Sequence, residues 1–203
     1  MKFLAKPVTF FLALACLFLS FIETAGAADK TPNQSNFTIL GLDIGDCTVQ
    51  DIYSMLGPTI PIKDGVNQLC YVSDRDETLI LFSTKSSKCA GFKMMSQKKR
   101  FYKWHFCEKS SLVSKHLTTE SGIKLGMSKS SVKTTLGAPR NESGIYLDYV
   151  FKWLQKLNQS ESETASQISK DRKRNPNRIV EVTIRTEFSD AGLISFDLLI
   201  IKQ

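Results

Sequence analysis

The sequence has few of the residues that enzymes use for catalysis. Among 203 residues there are two histidines, His105 and His116, and neither belongs to an H-E-x-x-H or a G-x-S-x-G motif. Three acidic residues, Asp43, Asp46 and Asp51, lie at the start of a predicted helix, where capping and the helix dipole account for them. The sequence therefore predicts a protein that is not an enzyme and has no catalytic residues.

Long apolar runs are also scarce, because residues 8–22 form the one clear example. Lys2 and Lys6 precede this run and an Ala-Gly-Ala exit follows it, as in a secretory signal peptide. A membrane anchor needs about 20 apolar residues, so we predict a cleaved signal peptide at residues 1–27. A retained anchor and lipidation at Cys16 are the alternatives. The mature chain has no further run of spanning length, and we expect it to be periplasmic or secreted.

The chain has no C-x-x-C pair, which argues against a zinc site, and we predict neither a metal nor a cofactor. After signal cleavage four cysteines remain: Cys47, Cys70, Cys89 and Cys107. An even number in an exported chain favours two disulfides, for which three connectivities are possible. If residues 89–107 fold as a hairpin about Lys98, Cys89 lies opposite Cys107. We therefore favour a Cys89–Cys107 disulfide, which leaves Cys47 to pair with Cys70.

Two stretches of the chain repeat one pattern, residues 41–59 (GLDIGDCTVQDIYSMLGPT) and residues 122–139 (GIKLGMSKSSVKTTLGAP). Each has two glycines four apart, a hydroxyl residue, an apolar position, and then Leu-Gly followed by proline. The hydroxyl residues are predicted helix N-caps, and the glycines after leucine are predicted left-handed helix ends. The structural caps are therefore Thr48, Gly57, Ser128 and Gly137. Two short helices follow, at residues 49–56 and 129–136.

Strand-like segments follow each predicted helix. After the first helix they are residues 69–73, 78–84, 89–96 and 100–107; after the second they are residues 145–153, 179–188 and 193–201. Apolar and polar residues alternate most clearly in the last two, as in half-buried antiparallel strands. The order of elements predicts an α+β fold of two tandem repeats, each a short helix followed by a mostly antiparallel sheet. The first repeat spans residues 28–117 and the second spans residues 118–203.

The pattern of residues 41–59 and 122–139 resembles the signature of the BamE/SmpA-type outer-membrane assembly lipoproteins and of the tandem-repeat β-lactamase inhibitor proteins. These families share a unit of a short helix and an antiparallel sheet. Two repeats with helix-to-strand cysteines are more similar to the inhibitor (BLIP-like) arrangement. The first stretch departs from the pattern by one extra residue between Gly45 and its helix. The resemblance implies a fold and a compartment, and it implies no site residue.

A polar segment at about residues 155–178 interrupts the second predicted sheet. It is rich in serine and then basic, so we expect a flexible hairpin loop with little to bury. It is either a solvated insertion or a recognition loop for an acidic partner, such as phosphate groups on an envelope surface. The candidate binding residues in it are Lys170, Arg172, Lys173, Arg174 and Arg178.

A second candidate surface is an aromatic row, Tyr102, Trp104 and Phe106, in the strand predicted at residues 100–107. If Cys107 points inward, alternation places these three side chains on the other, more exposed face. Such a row is a candidate contact surface. Alternatively the second repeat covers it, since burial is common for Trp and Phe.

Together these features predict an exported, non-catalytic binding protein of the cell envelope that contacts a protein or an anionic envelope component through its sheet face or loops. Nucleic acid is not an expected partner of an exported protein. The first alternative is a proteinaceous inhibitor of a hydrolase, and the second is an envelope hydrolase whose site forms only in space. The sequence does not indicate an oligomeric state.

Overall fold

The computed structural model describes residues 37–64, 66–156 and 177–202. This part of the chain contains two α-helices, α1 (Val49–Leu56) and α2 (Lys129–Leu136). Its strands are β1 (Thr38–Ile39), β2 (Leu42–Asp43), β3 (Ile62–Asp64), β4 (Val66–Ser73), β5 (Leu79–Lys85), β6 (Lys88–Met95), β7 (Glu108–Ser110), β8 (Asn141–Ser143), β9 (Tyr146–Lys156), β10 (Asn177–Ser189) and β11 (Gly192–Lys202). The predicted signal peptide lies outside the described residues.

Both helices span the predicted residues, and hydroxyl side chains cap their first turns. The Asp51 N–H donates to Thr48 Oγ1 at 3.2 Å, and the Thr48 N–H donates to Asp51 Oδ2 at 2.7 Å, which completes a capping box on α1. In α2 the Ser131 N–H donates to Ser128 Oγ at 3.1 Å, and the third helical residue has no carboxylate to return the bond. The two helices therefore start alike but are capped unequally.

The helices end at Gly57 and Gly137, where φ is 92° and 87°. The positive φ is the predicted one, but ψ is 162° and −162° instead of the value of a left-handed helical residue. This extended, positive-φ conformation is essentially restricted to glycine. It turns the chain sharply away from the helix, and the glycine N–H still donates to Tyr53 O in α1 and to Lys133 O in α2.

Within the described residues the strands form a nine-stranded, mostly antiparallel sheet, and β1 pairs with β2 apart from it. The order is β3-β4-β5-β6-β11-β10-β9-β8, and β7 pairs with β4 in parallel. The described fold is thus mostly antiparallel sheet with two short helices, which is consistent with the α+β prediction in its coarse form. The central pair is β6 with β11, where Lys93 lies opposite Asp197. This pair joins the strands that follow α1 to the strands that follow α2.

Two apolar clusters hold the sheet. The larger one lies on the face that we call the inner face, where the helix residues Ile52 and Val132 pack with sheet residues such as Phe92 and Phe196. The rings of these two phenylalanines are 5.7 Å apart across the central strand pair. The smaller cluster lies on the opposite, outer face, and its buried residues are Ile62, Cys70, Leu79, Leu81, Met95 and Phe101.

The strand predicted at residues 100–107 is wrong, because this segment forms two 3₁₀ turns, Lys98–Arg100 and Trp104–Phe106. We call residues 97–107 the strap. It passes over the outer face beside β3 and β4 instead of pairing with β6. Phe101 is buried in the outer cluster, and Trp104 and Cys107 pack against it. The burial of Phe101 in the outer cluster is therefore incompatible with the pairing of residues 100–107 with β6 that the alternating pattern predicted.

The disulfide pairing that we favoured is also wrong. All four cysteines are bonded, but the bonds are Cys47–Cys89 and Cys70–Cys107. The reason is the strap, because without a hairpin about Lys98 nothing brings Cys89 opposite Cys107. One bond ties the residue before the α1 cap to the start of β6, and the other ties the end of the strap to β4.

Candidate functional site

The basic residues predicted for recognition cannot be placed. Lys170, Arg172, Lys173 and Arg174 lie outside the described residues. Arg178 belongs to β10, where it is opposite Gln155, but its side chain is not among those described. These residues stay a prediction.

Of the three aromatic residues predicted to form an exposed row, two are exposed and one is not. Tyr102 and Phe106 are exposed, at 67% and 74% of their surface. Trp104 is half-buried against the outer cluster, and Lys98 Nζ lies 5.2 Å from the centre of its ring. The expectation that all three share an exposed face is therefore wrong for Trp104. It fails because the strap turns as a 3₁₀ helix, which does not alternate its side chains as a strand does.

A groove of about 1000 Å³ lies at the end of the sheet where β4 and β6 begin and β5 and β11 finish. We call it the end groove, and the residues that matter in it are Lys63, Val66, Lys85, Lys88, Leu199 and Ile201. They come from five strands that are neighbours in the sheet, although they are distant in sequence. The central β6–β11 pair runs through the groove, so it is built by both sets of strands.

Three apolar side chains of the groove remain open to solvent. Val66 is 51% exposed, Leu199 is 40% exposed and Ile201 is 39% exposed. Leu199 and Ile201 alternate along β11 with the buried Leu198 and Ile200, so they lie on the outer face. Exposed apolar side chains that line one concave site are typical of contact surfaces.

The charge of the end groove is positive. Among the described residues, its lining contains four lysines and one acidic residue, Asp197. That carboxylate is already 3.4 Å from Lys93 Nζ. The fourth lysine, Lys202, is engaged as well, because its Nζ donates to Asp46 Oδ1 at 2.8 Å. The remaining three, Lys63, Lys85 and Lys88, make no side-chain ion pair with any described residue, so they are available to an anionic ligand.

Two of these lysines flank a tight turn between β5 and β6. Lys85 lies directly opposite Lys88, and the two serines between them both have positive φ, 51° at Ser86 and 62° at Ser87. A two-residue hairpin turn requires this backbone, which is uncommon for residues other than Gly, Asn and Asp. The Val49 N–H donates to Ser87 O at 2.9 Å, so the start of α1 holds the turn in place. Both cations therefore project from a fixed turn.

An acidic pocket of about 460 Å³ lies beside the start of α1 and includes Asp43, Asp46 and Asp51. Asp43 Oδ1 is buried and has no hydrogen-bond partner among the described residues. Burial raises the pKa of Asp43, and the nearby Asp46 raises it further while Lys202 lowers it. Among the described residues, no group of three or more His, Cys, Asp or Glu side chains is arranged to hold a metal ion. Capping explains Asp51, whose pKa is lowered by the Thr48 backbone and hydroxyl hydrogen bonds.

Sequence reasoning missed the end groove, although part of its signal was present. The alternation in β11 that buries Leu198 and Ile200 leaves two apolar residues, Leu199 and Ile201, on the other face. The convergence of Lys63 with Lys85 and Lys88 could not be read, because it depends on which strands are neighbours. In the described residues neither helix is long and apolar enough to cross a membrane.

No protein-family model, curated protein or solved structure matches the chain. The resemblance of residues 41–59 and 122–139 to the outer-membrane assembly lipoproteins and β-lactamase inhibitor proteins thus stays a prediction. The functional proposal therefore rests on the geometry and charge of the end groove.

Proposed function

We propose that this chain is an exported, non-catalytic binding protein whose end groove takes an acidic, partly apolar segment of a partner protein. The observation that carries this proposal is that one groove combines three lysines, which form no ion pair with a described residue, with three exposed apolar side chains. Apolar contacts supply affinity, and complementary charge supplies specificity and a faster association rate. A ligand with carboxylates beside apolar side chains matches both properties.

Export is part of the proposal. The two disulfides, Cys47–Cys89 and Cys70–Cys107, are typical of proteins that fold in oxidising compartments. The signal-peptide pattern of residues 1–27 points to the same route, which leads to the periplasm or the cell exterior. An acidic segment of an envelope or secreted protein is the partner that such a location provides.

We also propose that the fold is a tandem repeat. The strand order supports this, because β3-β4-β5-β6 after α1 meets β11-β10-β9-β8 after α2 in mirrored order. Two matching pairs of backbone hydrogen bonds, one in each half, support it as well. The Gly45 N–H donates to Cys89 O and the Cys89 N–H to Cys47 O, while the Gly126 N–H donates to Leu193 O and the Leu193 N–H to Met127 O. Each motif is thereby joined in the same way to the central strand, β6 or β11, of its own half of the sheet.

Binding of defined peptides tests the proposed function. A labelled peptide of alternating Glu and Val is the probe, and a peptide of alternating Gln and Val is its neutral control. We expect the mature chain to prefer the Glu–Val peptide and to lose affinity as salt rises, because exposed charges are screened beyond about 8 Å at physiological ionic strength.

Two triple variants identify the site. Replacing Lys63, Lys85 and Lys88 with Gln should weaken the Glu–Val peptide about ten-fold or more. The control replaces three exposed lysines elsewhere with Gln, and these are Lys109, Lys115 and Lys124. Both variants change the net charge equally, so equal affinities for the two would contradict the proposal.

A further inference from the structure

The strap is a fixed element that presents a few side chains outward. Phe101 anchors it in the outer cluster, and the Cys70–Cys107 bond closes its end. Its start is held by two ion pairs, Lys98 Nζ with Glu77 Oε1 at 3.3 Å and Arg100 Nη2 with Glu187 Oε1 at 2.7 Å. Side chains on the free side of the strap therefore have a defined position.

The free side carries two large aromatic side chains that the core does not use. Tyr102 and Phe106 are the aromatic residues of the strap that are most exposed, and neither belongs to a buried cluster. Ile60, two residues before the buried Ile62 of the same outer cluster, is also exposed. Large exposed aromatic rings on a fixed element indicate a contact surface, since burial in the core does not account for them.

The charge of the strap has a single sign. Residues 97–107 contain four basic residues, Lys98, Lys99, Arg100 and Lys103, and no acidic residue. Lys103 Nζ lies 4.9 Å from the centre of the Tyr102 ring and donates to Lys63 O at 3.1 Å. Lys99 is exposed and makes no ion pair with any described residue. Tyr102 therefore has a basic neighbour, and Lys99 adds an exposed positive charge to the same strap.

We propose that the strap is a membrane-contact surface, on which Tyr102 and Phe106 enter the headgroup region of an anionic lipid bilayer and Lys99 binds lipid phosphates. Aromatic rings favour the interface between water and hydrocarbon, and lysines next to it attract anionic headgroups. A lipid surface needs only one sign of charge and a few apolar groups that penetrate it.

This surface is separate from the acidic-segment site of the end groove, so the two proposals can fail independently. The strap would hold the protein at a bilayer, and the groove would bind its partner there. The groove variant with Gln at Lys63, Lys85 and Lys88 should keep the larger part of its vesicle binding, because the aromatic side chains and Lys99 remain.

Co-sedimentation of the mature chain with vesicles tests the proposal. One set of vesicles contains phosphatidylcholine alone and the other also contains phosphatidylglycerol. We expect binding to the anionic set that falls with salt and falls about ten-fold or more in the double variant Tyr102→Ser, Phe106→Ser. A matched control, Ile145→Ser with Tyr146→Ser, removes one aliphatic and one aromatic side chain from the far end of the sheet, and we expect no change.

A second pair of measurements separates the strap from the basic loop and reports orientation. A variant with Gln at Lys170, Arg172, Lys173 and Arg174 should still bind through the strap. In a Trp153→Phe protein, lipids brominated in the upper acyl chain should quench the emission of Trp104, which lies between the two exposed rings in sequence. Binding that survives the double aromatic variant, or Trp104 emission that bound brominated vesicles leave unchanged, would overturn the proposal.

Discussion

The strands that follow α1 and those that follow α2 use the inner face of the sheet alike and the outer face differently. Helix and sheet residues bury the inner face throughout. On the outer face, the strap and the Cys70–Cys107 disulfide cover the first set of strands, whereas the Cys47–Cys89 disulfide belongs to the inner cluster. The second set has no cysteine and carries ion pairs there, such as Arg185 with Asp148 at 2.9 Å. The inner face thus supplies the apolar core of both sets of strands. The outer face differs between them, with a strap and a disulfide on the first set and exposed ion pairs on the second.

The largest expected effect comes from the two disulfides, which only the first half of the fold contains. Cys47–Cys89 closes a loop of 42 residues and Cys70–Cys107 closes one of 37. Loops of this length imply a loss of about 4 kcal/mol of unfolding free energy for each bond removed, from the chain entropy of the unfolded state. Denaturant melts of a Cys47→Ser, Cys89→Ser protein and a Cys70→Ser, Cys107→Ser protein check this. Hydrogen exchange should show lost protection mainly in β3–β6.

Non-reducing peptide mapping is the control for this prediction. It should recover Cys47 with Cys89 and Cys70 with Cys107. A peptide that joins Cys89 to Cys107 would restore the hairpin that we first expected and would remove the strap from the fold.

The next effect compares two equivalent positions, the glycines that end α1 and α2. Gly57→Val and Gly137→Val should each cost about 2 kcal/mol, because a branched side chain does not adopt their positive φ with extended ψ. No other atom lies near either missing Cβ, so the cost is one of backbone strain. Thr134→Ala, on an exposed position of α2, should change the denaturation midpoint far less. If one glycine proves tolerant and the other does not, the two helix ends are not equivalent.

A smaller effect, and a stabilising one, is expected at the β5–β6 turn. Ser86→Asn with Ser87→Gly supplies residues that favour positive φ, and it should raise the unfolding free energy by about 1 kcal/mol. The β10–β11 turn differs, because its two turn residues, Asp190 and Ala191, have no positive φ, which occurs instead at Gly192 after them. Thermal melts of the double variant and of a control on the outer face of β10, Thr183→Ser, measure the gain. A lower melting temperature in the turn variant would show that the serines make contacts that their backbone angles do not reveal.

The smallest effect concerns the capping box that α1 has and α2 lacks. Asp51→Ser should lower the melting temperature at neutral pH, and Ser131→Asp should raise it by giving α2 the same box. The folded pKa of Asp51 lies below its ordinary value of 3.8. Its contribution is therefore present above that value and is lost as the pH falls through the folded pKa.

Melting curves between neutral pH and about pH 2 check the capping box. Asp51→Ser should flatten the acid side of the stability profile, because the ionisation that it removes can no longer be linked to folding. An acid profile identical to that of the unchanged protein would show that the box adds nothing to the stability of α1.

The parts of the fold that local chemistry determines could be read from the sequence. Thr48 and Ser128 precede helices at the predicted residues, and six strands lie within a few residues of their predicted positions. The strap could not be read, because alternation in residues 100–107 competes with the burial of Phe101 against strands that lie elsewhere in the sequence. The disulfide pairing failed for the same reason.

The end groove depends on strand order, which no local pattern encodes. Leu199 and Ile201 could be assigned to one face of β11, but the lysines around them come from β3, β5 and β6. Charge and apolar surface that are distant in sequence became one site only because β6 pairs with β11 at the centre of the sheet.

The most direct test of the end groove is hydrogen exchange of the mature chain with and without the Glu–Val peptide. We predict slower exchange in residues 83–90 and 199–202, which line the groove, and no change in β8 at the far edge of the sheet. The Lys63, Lys85 and Lys88 variant should show no such protection. Protection that falls only on the strap, or that persists in this variant, would contradict the assignment of the end groove as the binding site.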